Sequence, residues 1–416
     1  MSDKPRAWVY LQLPGCAGSP GDWITVGTIS PDQPNQQGRF SYSATYLEDD
    51  LALAIDPVGL PRLDTSIYLA QRYGGLIDVV RDASPDGWGK HLLIRDGKAT
   101  DKSSDFDIAL LASNSDRWGA LCLGTSRKPS VAHTHTPPLS SLEDLLEEID
   151  LLQRFEPARH ARLRKQLLDR SSIGGARPKV TLRDNQRWLI AKPLDRSDVM
   201  DVPKLEYLTM QLGANVGLRV ARTEHQGSAP GAARKWSVVL VDRFDRDGEQ
   251  RIMAVSGATL MEAEYPATVT NRRAPGYLRL ADALRRIGCP EEDLRELWYR
   301  MIFNILVGND DDHPRNHAAI YVHEEKRWRL SPAFDIVPNP NERSDHQAIE
   351  VTAGTRKVSR VAITSNASRF GIHPDAADRL LEQFCTRVVH NASRIDECAE
   401  KVLLVDHIKG GLDLLA

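Results

Sequence analysis

The sequence predicts an α+β protein built as two lobes, and three observations predict it. At 416 residues the chain exceeds what a single hydrophobic core accommodates. Its first half alternates strand-like and helix-like patterns, and its second half is almost wholly helical in pattern. Such a succession places a mixed β/α lobe beside a helical one, with a cleft between them.

The amino-terminal stretch is a small β-rich unit. Ala7 to Leu13 is strand-like, Gly/Pro/Asn-rich turns follow, and Phe40 to Tyr46 alternates with period 2 before Leu51 to Ile55. Ser84-Pro85-Asp86-Gly87-Trp88 carries strong turn chemistry and reads as a plain turn. The polar, Pro-rich run Ser126 to Ser140 reads as a linker, with His133 and His135 as solvated loop residues. Leu142 to Phe155 is an acidic amphipathic helix with Ser140 or Ser141 as N-cap, and Arg159 to Arg170 is a basic helix with a solvated face. A β-β-α-β-β run follows: Val180 to Arg183, Trp188 to Lys192, the helix Val202 to Val216, then Arg219 to His225 and Trp236 to Arg243. Beyond Tyr277, helices are predicted at Leu278 to Ile287, Pro290 to Leu306, Asp375 to Val389 and Ala392 to Leu404, with one hairpin at Ala318 to His323 and Arg327 to Leu330. The expected divisions are 1–125, a linker at 126–140, a phosphate-loop lobe at 141–246 and a catalytic lobe at 247–416.

Bulk chemistry narrows the function. Apolar residues at 41% and charged residues at 27% are ordinary for a globular protein, and a formal net charge of -3 argues against a surface dedicated to nucleic acid or anionic membrane. The five cysteines are odd in number and form no C-x-x-C pair, so buried reduced thiols are expected rather than disulfides or zinc. No apolar run is long enough to span a bilayer and no signal-peptide pattern is visible, which gives a cytoplasmic expectation.

The chemistry centres on Gly308-Asn309-Asp310-Asp311-Asp312-His313-Pro314-Arg315-Asn316. Asp311 and Asn316 have the Asp-to-Asn spacing of the protein-kinase catalytic loop, where the carboxylate orients the attacking hydroxyl and the amide oxygen holds magnesium. Asp335, in Ser331-Pro332-Ala333-Phe334-Asp335, stands where kinases carry a second metal-binding carboxylate. Magnesium accepts such a partial shell because phosphate oxygens and waters complete it. An Asp-rich turn would explain the run alone. However, three carboxylates issuing from the apolar helix end Met301 to Val307 require a compensating cation or hydrogen bonds. Only one of the three need be catalytic. On the phosphate side, Gly174, Gly175, Ala176, Arg177, Pro178 and Lys179 form a small-residue loop before a strand, whose backbone N–H groups can cradle phosphate. Lys192 ends the next strand, where kinases place a phosphate-neutralising lysine, with Glu206 as a pairing partner. Asp242, Arg243 and Phe244 leave a buried-looking strand and suit either a hinge bordering adenine or a strand end with a salt-bridged turn.

These stretches, SSIGGARPK (171–179), LIAKPL (189–194), VDRFDR (241–246), GNDDDHPRN (308–316) and SPAFDI (331–336), resemble the HipA-like serine/threonine kinases, the toxin components of bacterial toxin–antitoxin systems. The VGTIS and SPDGWGKHLL runs resemble the extra amino-terminal subdomain of that family. The resemblance implies a protein-kinase-like fold, ATP and Mg2+ as cofactors, Asp311 and Arg315 as catalytic residues, and Asn316 and Asp335 as metal ligands. It further implies ATP contacts from Gly174 to Lys179, Lys192, Asp242 to Phe244 and His313, and autophosphorylation on Ser172, with Ser171 as the alternative. The implied partners are a protein substrate, such as an aminoacyl-tRNA synthetase, and a HipB-like DNA-binding antitoxin, DNA being reached only through the latter. Arg315 departs from the lysine frequent in the family, and a planar guanidinium is not an ammonium. The competing readings are a catalytically silent kinase-like regulator and a metal-dependent hydrolase built on Asp310 to His313.

Overall fold

A computed structural model describes residues 6–15, 19–32, 37–61, 63–131, 135–170, 172–228, 236–265 and 274–416. The chain forms two compact units, the first made of residues 1–192 and 243–255 and the second of residues 193–242 and 256–416.

The first unit opens on strands β1 (Ala7–Gln12), β2 (Trp23–Asp32), β3 (Gln37–Tyr42), β4 (Tyr68–Ala70) and β5 (Leu121–Gly124), which form an antiparallel sheet in the order β4-β3-β2-β1-β5. The β1–β2 register shifts between Val9 and Tyr10, a local irregularity that increases twist. β2 lies in a stretch whose Gly/Pro/Asn content predicts turns. Leu51 to Ile55 is not a strand. Instead the short helix α1 (Ala44–Leu47), capped by Ser43, leads into it, and the buried Tyr46 hydroxyl donates to the Leu53 carbonyl at 2.8 Å. Helices α2 (Asp78–Asp82), α3 (Gly87–Arg95) and α4 (Asp105–Leu111) follow. Ser104 and Asp107 form a reciprocal capping box on α4.

Helices α5 (Leu142–Gln153) and α6 (Ala161–Leu168) come next. Ser141 is the α5 N-cap residue but its side chain makes no capping bond. The basic segment is less solvated than its composition suggests. Fully buried Glu148 accepts from Arg164 Nε at 2.7 Å and from the Arg159 and His160 backbone N–H groups, and Arg170 is buried. The hairpin β6 (Val180–Asp184) and β7 (Arg187–Pro193) turns at Asn185, which has φ +53, a conformation Asn tolerates better than most residues.

In the second unit, α7 (Val202–Asn215) starts at Asp201, whose side chain accepts from the Lys204 N–H, with Pro203 in its first turn. The antiparallel hairpin β8 (Thr223–Gly227) and β9 (Ser237–Asp242) follows. The chain then returns to the first unit for the two-residue strands β10 (Arg246–Asp247) and β11 (Gln250–Arg251) and leaves it through β12 (Ala254–Ser256). The remainder holds α8 (Gly257–Leu260), α9 (Tyr277–Arg286), α10 (Glu291–Val307), the hairpin β13 (Ala318–Val322) and β14 (Arg327–Leu330), then α11 (Arg360–Thr364), α12 (Pro374–Ser393) and α13 (Ala399–Leu415). The last two helices differ from the expected Asp375 to Val389 and Ala392 to Leu404, because the chain breaks after Ser393 and resumes helix at Ala399. Trp298, Met301, Ile302, Phe303, Ile305, Leu306 and Val307 of α10 are fully buried, each contributing about 1.5–3 kcal/mol. This makes α10 the axis of the second unit.

Cys122, Cys289 and Cys385 are buried free thiols, and Cys398 is partly buried and free. Cys16, His133 and Ser171 lie outside the described residues. No described helix is long and apolar enough to cross a membrane.

The VDRFDR motif builds a buried ionic cluster in the first unit. Arg243 pairs with Asp116 at 2.8 Å and with Asp245 at 2.7 Å, Arg246 pairs with Asp245 at 2.8 Å, and the Gly119 N–H donates to Asp245 at 2.7 Å. Burial alone would raise the Asp245 carboxyl, but Arg243 and Arg246 more than offset it and hold the group well below the usual carboxylate range. Removing one partner of such a cluster leaves an uncompensated buried charge, so Asp116→Ala should destabilise the chain by about 3–5 kcal/mol in urea unfolding. The Asp245 contribution is fully present above the ordinary carboxylate pKa and is lost as pH falls through the depressed folded value. The stability gap between wild type and Asp245→Asn should therefore narrow on acidification, and a gap independent of pH would contradict this.

Candidate phosphoryl-transfer site

The acidic run issues from the carboxyl end of α10, where unpaired carbonyls and the helix dipole disfavour negative charge. Tertiary contacts compensate. The Arg343 guanidinium donates to the Ile305 and Leu306 carbonyls and to His407 O at 2.5 Å. Gly308 ends the helix at φ +72, and a Cβ there would stand 2.4 Å from His407 Nδ1. Only glycine meets both the left-handed backbone and the close approach. The Asn339 N–H donates to Gly308 O at 2.9 Å, and His407 Nε2 lies 2.8 Å from Asn339 O.

The three aspartates are sorted by environment. Asp310 accepts from Asn339 Nδ2 at 3.0 Å. Asp312 is buried, takes the Tyr277 hydroxyl and lies 3.0 Å from His317 Nε2, while Asn304 Nδ2 donates to the same Tyr277 oxygen at 3.3 Å. Burial and the adjacent Asp312 push the Tyr277 hydroxyl well above its ordinary pKa, so it remains a donor. Asp312 is thereby an anchor of the loop. Asp311 is the exposed member of the three. Its carboxyl is nonetheless partly desolvated. That, together with the charges of Asp335, Asp310 and Asp312, raises its pKa, with His313 opposing.

Asn316 sits on a 3₁₀ turn, Pro314–Asn316, and its Nδ2 donates to Asp311 O at 3.3 Å. The amide nitrogen is thus engaged on the loop itself, and Oδ1 is the atom suited to a cation. Asp335 has φ +59, a strained value for a residue other than glycine that persists only when its surroundings impose it. Here the preceding Ala333 is bonded on both sides, its carbonyl to Ala221 N at 2.8 Å and its N–H to Arg219 O at 2.7 Å. Among the described residues no group of three or more His, Cys, Asp or Glu is placed to hold a metal by itself. Magnesium is commonly held by only one or two protein groups, with phosphate oxygens and waters as its other ligands. The His313 ring packs on Tyr265 at 4.3 Å between centroids, and its buried Nδ1 has no hydrogen-bond partner among the described residues. Arg315 is half-buried on the same turn.

The phosphate-loop residues lie in the first unit. The Gly175 N–H donates to Asp86, Gly175 O accepts from Trp88 N at 2.8 Å, and Trp88 Nε1 donates to Lys179 O at 3.0 Å. A Cβ on Gly87 would meet Gly175 O at 2.5 Å, so this contact depends on glycine. The segment read as a plain turn is therefore the start of α3 and the docking point of the Gly-rich loop. No local pattern could have revealed a partner 89 residues away. Ser172 is buried and its hydroxyl donates to Ser113 O. Lys192 is half-buried at the end of β7, and Glu206 is buried on α7. Asp242 and Phe244 are half-buried. The Arg243 guanidinium is committed to Asp116 and Asp245, and its backbone N–H donates to Trp188 O at 2.8 Å. Tyr277, Asn304, Asn339, Arg343 and His407 all support the acidic loop, and sequence reasoning passed over each of them.

Tyr277→Phe keeps the ring and removes the hydroxyl that donates to buried Asp312. It should cost about 1–3 kcal/mol, read as a lower urea midpoint, and an unchanged midpoint would show that Asp312 is satisfied without Tyr277.

Residues 171–392, more than half of the chain, match the family model of the HipA-like C-terminal domain. The protein named Putative kinase Y4mE of Sinorhizobium fredii is 26% identical over 184 residues, covering 40% of this chain and 42% of that protein. A protein of Haemophilus influenzae named Putative kinase is 27% identical over 180 residues, covering 40% of this chain and 52% of that one. The chain thus spans about half, or less, of the length of the curated relatives it matches. A chain from the HipA, HipB and operator DNA complex of the Shewanella oneidensis MR-1 toxin–antitoxin system matches at a TM-score of 0.63 and 14% identity, over 94% of this chain and 96% of that one. At that identity the likeness establishes the α+β architecture, with its amino-terminal β-sheet and helical carboxyl-terminal region. By the extent of the family match, this chain belongs to the family defined by the HipA-like C-terminal domain.

Proposed function

We propose that this protein is a Mg-ATP-dependent serine/threonine protein kinase, acting as the toxin of a toxin–antitoxin module. The observation that carries the reading is the sorting of the acidic loop. Asp312 is anchored, Asp310 is held by Asn339, and Asp311 is left exposed with a raised pKa beside Asp335. Asp311 would accept a hydrogen bond from the substrate hydroxyl and orient it for attack. Arg315 would place positive charge near the transferring phosphoryl group. Asn316 and Asp335 are the residues that would hold magnesium, which when bound neutralises phosphate charge. Gly174 to Lys179 and Lys192 would hold the phosphates, His313 would add a ring nitrogen to a ligand oxygen, and the 242–244 backbone would border adenine. The supporting likenesses are the kinase names of the curated relatives and the HipA–HipB–operator complex. The latter makes a HipB-like antitoxin the proposed partner, and DNA is reached through it.

Ser172 is the proposed autophosphorylation site. Its hydroxyl is buried against Ser113, so the loop must leave Asp86 and Trp88 before modification. A phosphate there adds about two negative charges in a segment otherwise suited to ATP phosphates.

Incubation with Mg-ATP should give phosphoserine at Ser172, seen by mass spectrometry. Asp311→Asn should lower the rate by roughly 100- to 10,000-fold with nucleotide binding retained. Nucleotide binding without transfer in the wild type would indicate a silent regulator. Metal-dependent hydrolysis that needs no ATP would indicate a hydrolase. With its pKa raised, Asp311 ionises above the ordinary aspartate range. The acid limb of the rate profile should therefore lie above pH ~4 and be absent in Asp311→Asn.

A further inference from the structure

The first unit contains a cavity of about 330 Å³ lined by Gln12, Trp23, Arg183, Trp188, Arg246 and Arg251, with Glu249 at Arg183. None of these residues belongs to the phosphate loop, Lys192 or the acidic loop. The cavity falls at the small end of the ligand-site range, about 300–1,000 Å³.

Its walls combine cations with indole rings. The Arg251 guanidinium lies 5.0 Å from the Trp23 ring centroid, and those of Arg183 and Arg246 lie 4.7 and 5.9 Å from that of Trp188. Behind the walls the charge does not balance. Arg117, Arg243, Arg246 and Arg251 are buried, and the carboxylates buried with them are Asp116 and Asp245. Among the described residues, these four guanidiniums against two carboxylates leave two positive charges in excess, and Arg170, a fifth buried guanidinium, also reaches Asp116 at 3.4 Å. Among the described residues, Arg117 donates to the Asn114 side chain and the Ala83, Ala109 and Ala112 carbonyls. Arg251 donates to the Asn114 and Ser115 carbonyls and the Cys122 sulfur. Guanidinium does not shed its proton at neutral pH, and buried charge without a counter-ion is costly. An anion in the adjoining cavity would supply the missing charge.

We propose that this cavity binds a small phosphate-bearing nucleotide, its phosphate facing Arg183, Arg246 and Arg251 and its base against a tryptophan wall. Guanidinium forks suit phosphate oxygens, and an indole face accepts any base. The nucleotide fits better than inorganic phosphate because two of the walls are indole.

The test is calorimetric titration of AMP, without magnesium, into the full chain carrying Lys192→Met, which disables the proposed ATP phosphate contact. Binding should persist there and weaken at least tenfold on adding Arg183→Gln, a rim residue, or Trp23→Leu. Asp335→Asn should leave it unchanged. Circular dichroism melts establish that each variant is folded. If Trp23→Leu does not fold, Arg183→Gln alone decides. No AMP binding in the Lys192→Met chain overturns the proposal, as does AMP affinity no better than that of inorganic phosphate, which would mark an adventitious ion only. Tighter binding of free phosphoserine than of AMP overturns the nucleotide assignment. Absence of ATP phosphoryl transfer in the wild-type chain, with AMP binding intact in the Lys192→Met chain, would sink the kinase reading and leave the cavity standing.

Discussion

Asp245 accepts from Arg243 and Arg246 at once and takes the Gly119 N–H as a third donor, all of it buried. With Asp116 it anchors two loops that are 127 residues apart in the chain. A buried ionic cluster of this kind is weak in net free energy but severe in what it forbids. Any arrangement of the 114–119 loop other than the observed one strands a charge in the core. The first unit is therefore specified at this point more sharply than apolar packing would specify it. The cluster also fixes the amino-terminal sheet, because β5 begins at Leu121, directly after Gly119.

The acidic loop shows the opposite economy. Its scaffold is the apolar helix α10, and its polar members are distributed among fixed partners from α9, α13 and the 339–343 segment. Those partners satisfy Asp310 and Asp312 and leave Asp311 with a carboxyl whose ionised form is disfavoured by its neighbours. A carboxylate held among like charges binds cations and orients donors, and it is maintained only because the surrounding structure supplies the opposing free energy.

The Gly-rich loop occupies an intermediate position. Its contacts to Asp86 and Trp88 run through backbone atoms, so they fix its course without depending on its side chains. The loop can keep small residues and still be ordered. The same amide that serves a phosphate oxygen in an anion-binding loop is bonded here to the Asp86 carboxylate, which ties the state of the loop to the amino-terminal subdomain.

The elements with strong local periodicity were legible in the sequence: β6, β7, α7, α9, α10 and the β13–β14 hairpin fall within a few residues of where pattern placed them. Where local pattern was weak it misled. β2 is rich in turn-like residues yet pairs on both sides in the sheet, and Leu51 to Ile55 looks like a strand but has no strand to pair with. The sequence by itself determined the periodic elements and the identities of the acidic-loop residues, since both are properties of neighbours along the chain. Only the tertiary structure decided which aspartate is exposed, that Asp86 and Trp88 hold the Gly-rich loop, and that Arg243 serves the core. Each of those depends on partners tens to more than a hundred residues away, whose approach is set by packing.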